Sequence, residues 1–192
     1  MPIRVDAYTV GGMASGFVAS AGHIRDILET TGRLDLADVR WRPLDAPADG
    51  PAGDLTIAID DVLIAVADDD SAIPVHASWH AIRLEVGPYI VEGDMPTLPG
   101  YDPGRALTRP SGEFVMLRDV RLGRPGGAPP VPIGQHGLIN RYAVERVEAD
   151  IMLGFFFPGA ALGAPEEPGS ADVAPGQGPT GPSARASAVT GA

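Results

Sequence analysis

No cysteine occurs among the 192 residues, which excludes disulfides, zinc ribbons, iron–sulfur clusters and thiol nucleophiles. Cations are scarce too: 14 lysines and arginines stand against 25 aspartates and glutamates, a formal charge of −11. So acidic a chain lacks the local cations that neutralise phosphates, and neither nucleic acid nor an anionic membrane face is expected as a partner. Aromatic residues make up only 6%, and no apolar run approaches the ~20 residues of a membrane helix, so no membrane insertion is expected. The opening stretch MPIRVDAYTV has one arginine and no apolar run, which does not read as a secretory signal; a cytoplasmic protein is the expectation.

What the chain does have is a repeat. Val5, Tyr8, Val10, Gly12, Leu36, Asp38, Val39 and Arg40 recur 81 positions later as Val86, Tyr89, Val91, Gly93, Leu117, Asp119, Val120 and Arg121. Eight identities without a gap, across residues 4–40 and 85–121, point to a tandem duplication of one small unit. Each unit alternates apolar and polar residues at period two, with proline- and glycine-rich loops at 46–53 and 125–130. One helical stretch, 22–31, places Ile24, Ile27 and Leu28 on one face and ends at Gly32. Beyond the loops the offset is expected to fall to about 76, the second loop being shorter.

The fold expected is therefore mainly β with minor α: two homologous small β units packed with pseudo-two-fold symmetry, sandwich or barrel-like, sharing a core because each is small. The first unit spans 1–70, a linker 71–81 and the second unit 82–157. The remainder, 158–192, is dominated by alanine, glycine, proline and serine, and is expected to be a disordered tail because it cannot bury enough apolar surface to offset its ordering entropy. Glycine at 12 and 93 is read as a positive φ or a close strand approach.

Candidate functional residues are few. Asp38 with Arg40, and Asp119 with Arg121, lie at i and i+2, so on strands each pair shares a face, with Val39 and Val120 buried behind. They are candidates for a seam between the units or a ligand groove. His76 and His80, four apart, could hold a metal, although no third ligand is evident. Phe155, Phe156 and Phe157 follow Ile151–Gly154 in the most apolar stretch of the chain. The first reading of this stretch is a final strand or turn that caps the core; because three adjacent phenylalanines cannot all face inward on a strand, an interaction patch is the alternative. The aspartates at 60, 61 and 68–70 lack the spacing of a calcium loop, and His136 sits in a Gly-Gln-His-Gly stretch where a general base is conceivable. No catalytic residue is assigned and no cofactor is expected.

The run IRLEVGPYIVEGDMPTLPG from residue 82, with FVMLRDVRL and then GLINRYAVERV, resembles an uncharacterised family of short bacterial β-rich domains with no assigned function. Residues 82–148 match that order well and residues 3–67 more loosely, lacking the Leu-Pro-Gly turn. The resemblance implies a small β-rich unit and supplies no catalytic residue. Two functional readings follow: a non-catalytic interaction or assembly module with a protein partner or self-association, and a small-molecule or metal-binding protein, even an enzyme, with its site at the seam between the repeats.

Overall fold

The computed structural model describes residues 2–19, 22–46, 49–68, 77–97, 112–149 and 156–163. The first half runs β1 (Ile3–Thr9), β2 (Gly12–Val18), α1 (Ile24–Thr30), β3 (Arg33–Pro43), β4 (Gly50–Ala58), a 3-10 turn (Ile59–Asp61) and β5 (Ile64–Ala67). The second runs β6 (Ser78–Val86), β7 (Tyr89–Thr97), β8 (Phe114–Gly123), β9 (Val131–Asn140) and β10 (Val144–Ala149), and β11 (Ala161–Gly163) follows. The described residues are mainly β with one short helix, as the period-two patterning dictates. All strands join one open sheet in the order β11-β10-β6-β7-β8-β9-β5-β1-β2-β3-β4.

Within that order the halves run alike, β5-β1-β2-β3-β4 and β10-β6-β7-β8-β9. Each is a four-stranded meander whose fifth strand returns beside the first. Strand register gives the correspondence residue by residue. In the first hairpin Val5 pairs with Gly16 and Ile82 with Gly93, an offset of 77. In the third strand the offset is 81, in the fourth it passes from 81 (Gly53 and Gly134) to 82 (Leu55 and Gly137), and in the fifth it is 82, since Ala7 pairs with Ala65 where Leu84 pairs with Val147. The offset therefore rises along the chain where a fall to about 76 was expected.

A shared irregularity fixes this register. Between β2 and β3 the pairing shifts from Ser15–Arg40 to Phe17–Ala37, and between β7 and β8 from Glu92–Arg121 to Asp94–Arg118. The extra residue is Asp38 in one bulge and Asp119 in the other, the only non-glycine residues with positive φ among those described, at 51° and 53°. Gly16 and Gly93 face these bulges: a Cβ there would stand 2.9 Å from Ala37 O and 2.8 Å from Arg118 O. Gly93 thus answers to a close approach. Gly12 answers to φ 148°, with a Cβ position 2.2 Å from Arg42 O.

The sheet carries a core on each face. Along β5, Ile64 and Val66 enter one cluster while Ala65 and Ala67 enter the other, as strand alternation requires. The first half's core holds Val5, Ala7, Leu34, Leu36, Val39, Ile57 and Ala65. Their register counterparts Ile82, Leu84, Val115, Leu117, Val120, Ile139 and Val147 form the second half's core. Helix α1 lays Ile24 and Leu28 on the first core, and Gly32, at φ 68°, ends it as expected.

Several expected boundaries move. Strand β6 takes up residues 78–81 of the expected linker. Residues 161–163 of the expected tail form β11, which pairs in parallel with β10, and Phe156 and Phe157, at the end of the expected second unit, fill the second core. Residues 164–192 lie outside the described residues.

Candidate functional site

The halves meet where β5 pairs with β9, through Ile64–Ile139, Ala65–Leu138 and Val66–Gly137. At one end of this seam the β1–β2 hairpin and the end of β3 face the β6–β7 hairpin and the loop after β8, and a cleft of about 420 Å³ opens between them. That volume falls within the range of small-ligand sites. Its walls are mainly apolar, from Met13, Leu44, Leu122 and Ile133, with the rings of Tyr8 and Tyr89.

The two tyrosines brace the seam. Their rings meet edge to face, centroids 5.7 Å apart, and Tyr89 Oη donates to Thr9 O at 2.9 Å. Burial, and then the negative charge of Asp6, push the Tyr8 hydroxyl up to about 12. Burial raises Tyr89 as well. Both phenols stay neutral at physiological pH, so they offer the cleft hydrogen bonds and ring faces without a negative charge.

Two arginines line the same cleft, and they differ in how their charge is met. Arg42 makes a bidentate pair with Asp49, both bonds at 2.7 Å. Those bonds hold the Asp49 carboxyl below the usual carboxylate range. Arg124 donates to Leu44 O across the seam, and among the described residues it makes no ion pair. Proline and glycine in the loop 125–130 give a short path back into β9, and Gly127 N closes a turn on Arg124 O at 3.0 Å.

The residues singled out from sequence lie elsewhere. Asp38 and Arg40 are exposed on β3, and Asp119 and Arg121 on β8, with four strands between. Asp38 N meets Asp54 Oδ1 at 3.4 Å, and Arg121 donates to Pro130 O at 2.9 Å. No Asp38–Arg121 pair spans the seam, because side-by-side joining of the halves keeps equivalent strands far apart. Asp119 and Arg121 instead line an open hollow behind β6–β8, where Arg83 with Glu92 and Arg118 with Asp94 pair. Val39 and Val120 are buried, as alternation required.

Of the candidate metal ligands, His80 bonds Thr97 Oγ1 through Nε2 at 2.9 Å, and His76 lies outside the described residues. Among the described residues no three histidine, aspartate or glutamate side chains group closely enough to hold a metal ion. His136 lines a separate polar pocket with Arg4, Asp6 and Asp68. Phe156 and Phe157 are buried by their own chain and form no exposed patch, while Phe155 lies outside the described residues. Among the described residues no helix is long and apolar enough to cross a membrane. Sequence reasoning missed Met13, Leu44 and Arg124, which carry no motif; Tyr8 and Tyr89 were visible only as a repeated pair. Comparison with family models, curated proteins and solved structures returns no match.

Proposed function

We propose that this protein is a non-catalytic binding protein whose seam cleft takes a small apolar molecule bearing one anionic group. The observation that carries the reading is Arg124: a guanidinium without a carboxylate partner among the described residues, set in a mainly apolar cleft of about 420 Å³ whose other cation, Arg42, is paired with Asp49. An apolar body would lie on Met13, Leu44, Leu122 and the tyrosine rings, and its carboxylate or sulfonate would take the Arg124 donors not used by Leu44 O. A tandem duplication of one small β unit supports the same reading, because a cleft between two copies arises from their junction and needs no motif inside either. Burial of Phe156 and Phe157 removes the feature that favoured a protein-docking patch.

Nuclear magnetic resonance with a medium-chain alkanoate as probe tests this. Shifts are expected at Met13, Leu44, Tyr89, Leu122 and Arg124, with weaker effects from the alkylammonium of equal length. Shifts scattered over the surface, or equal for both probes, would refute it.

A further inference from the structure

At the seam each half contributes buried side chains to the other's core. Tyr8, Leu63, Ile64 and Val66 enter the second core, and Phe114, Met116 and Leu138 enter the first. The register locates their counterparts at the two outer ends of the sheet. Tyr8 pairs with Ile64 where Glu85 pairs with Arg146, and Met116 pairs with Leu138 where Asp35 pairs with Thr56. Extended along the strands, the counterparts of the seven are Glu85, Glu145, Arg146 and Glu148 at one end, and Arg33, Asp35 and Thr56 at the other. Each of the seven residues that enter the other half's core thus has a polar counterpart at the outer ends.

Five of the seven polar groups pair with one another. Arg146 pairs with Glu148 at 3.2 Å and Arg33 with Asp35 at 3.1 Å, while Thr56 Oγ1 donates to Asp35 at 2.6 Å. The backbone at one end is closed as well. Strand β5 uses residues 64–66 to pair with β9; on β10 the corresponding 146–148 are taken by β11, through Arg146–Ala161, Val147–Leu162 and Glu148–Gly163.

We infer that the two outer ends are a latent copy of the internal junction, shut against further copies of this chain. Repeating the β5–β9 contact between molecules would set β10 of one beside β4 of the next. Strand direction and exposed face both reverse from one half to the next, so such a contact is head-to-tail and would not close; it would grow into a fibre. Charged residues on the joining faces and a strand laid on the joining edge are recognised protections against that outcome. The kind of partner these ends fit is a second copy of the same chain, and their chemistry excludes it.

Two variants test this. The first opens the β10 end: the chain stops after Ala160, with Glu85→Tyr, Glu145→Leu, Arg146→Ile and Glu148→Val. The second opens the β4 end with Arg33→Phe, Asp35→Met and Thr56→Leu. Each alone is expected to sediment as a monomer, since its other end stays shut, and a one-to-one mixture is expected to double in mass and grow no further. Variants that keep their β circular dichroism yet stay monomeric on mixing would overturn the inference. Should either variant lose its fold, the native chain decides: it is expected to be monomeric at every concentration reached, and self-association through β4 or β10 would overturn the inference.

Discussion

Tyr89 donates its hydroxyl hydrogen to Thr9 O across the seam at 2.9 Å, while its ring stands at 81° to that of Tyr8. The pair couples the seam to pH. A phenol held up to about 12 in the fold ionises near its ordinary value of 10 once unfolded. The unfolded chain therefore loses that proton first. The stability contributed is present in full below pH 10 and is lost as pH rises toward 12. Alkaline titration followed by tyrosinate absorbance is expected to show a late component that Tyr8→Phe removes. Tyr89→Phe, which deletes the seam hydrogen bond, is expected to lower stability by about 0.5–1.5 kcal/mol in urea unfolding.

The bulge at Asp119 sets a second expectation. Its φ of 53° is left-handed backbone that side chains resist, most of all β-branched ones. Asp119→Gly is expected to leave stability equal or higher. Asp119→Val is expected to lower it by about 1–2 kcal/mol, the scale of the left-handed penalty. Opposite the bulge, Gly93→Ala would push a methyl group to 2.8 Å from Arg118 O. A loss of about 1–3 kcal/mol is expected from such overpacking, with Gly16→Ala behaving alike. Thermal or denaturant unfolding of the four variants checks the set, and an Asp119→Val protein as stable as Asp119→Gly would contradict it.

Much of the architecture could be read from residue order, and the misreadings have physical causes. Alternating apolar residues foretold the strands, and the stretch from Ile24 to Gly32 foretold the helix with its stop, because period and punctuation are local properties. The identities at 36–40 and 117–121 marked structurally equivalent positions, since the bulge constrains them in both halves. Tyr8 with Tyr89, and Gly12 with Gly93, did not. Register makes Gly93 the counterpart of Gly16, and the tyrosines, far from equivalent, touch. Each sheet position tolerates many apolar types, so residue identity and strand register part company in the first hairpin. The cleft was illegible for another reason: its lining comes from both halves and converges only when β5 meets β9.

The phenylalanines give a third prediction. Phe157 is 1% exposed and packs in the second core, which is the core-capping reading of this apolar stretch rather than the surface patch. Phe157→Ala is expected to cost about 3–5 kcal/mol, the range for large-to-small changes at buried aromatic sites. Tyr142→Ala, at 60% exposure, is expected to stay within about 0.5 kcal/mol. Equilibrium urea unfolding of the two variants checks the contrast. Similar midpoints would mean that residues 156–157 do not seal the core.

The most direct test of the seam as a binding site is isothermal titration of a medium-chain alkanoate into the native chain and into Arg124→Ala and Met13→Trp. Arg124→Ala removes from the cleft the cation that makes no ion pair among the described residues, and Met13→Trp fills its apolar part. The native protein is expected to bind one equivalent. Arg124→Ala is expected to weaken binding about tenfold or more, the scale of a lost charge-assisted hydrogen bond, and Met13→Trp to abolish it with the fold intact. Undetectable binding by the native chain, or equal affinity in all three proteins, would contradict the account.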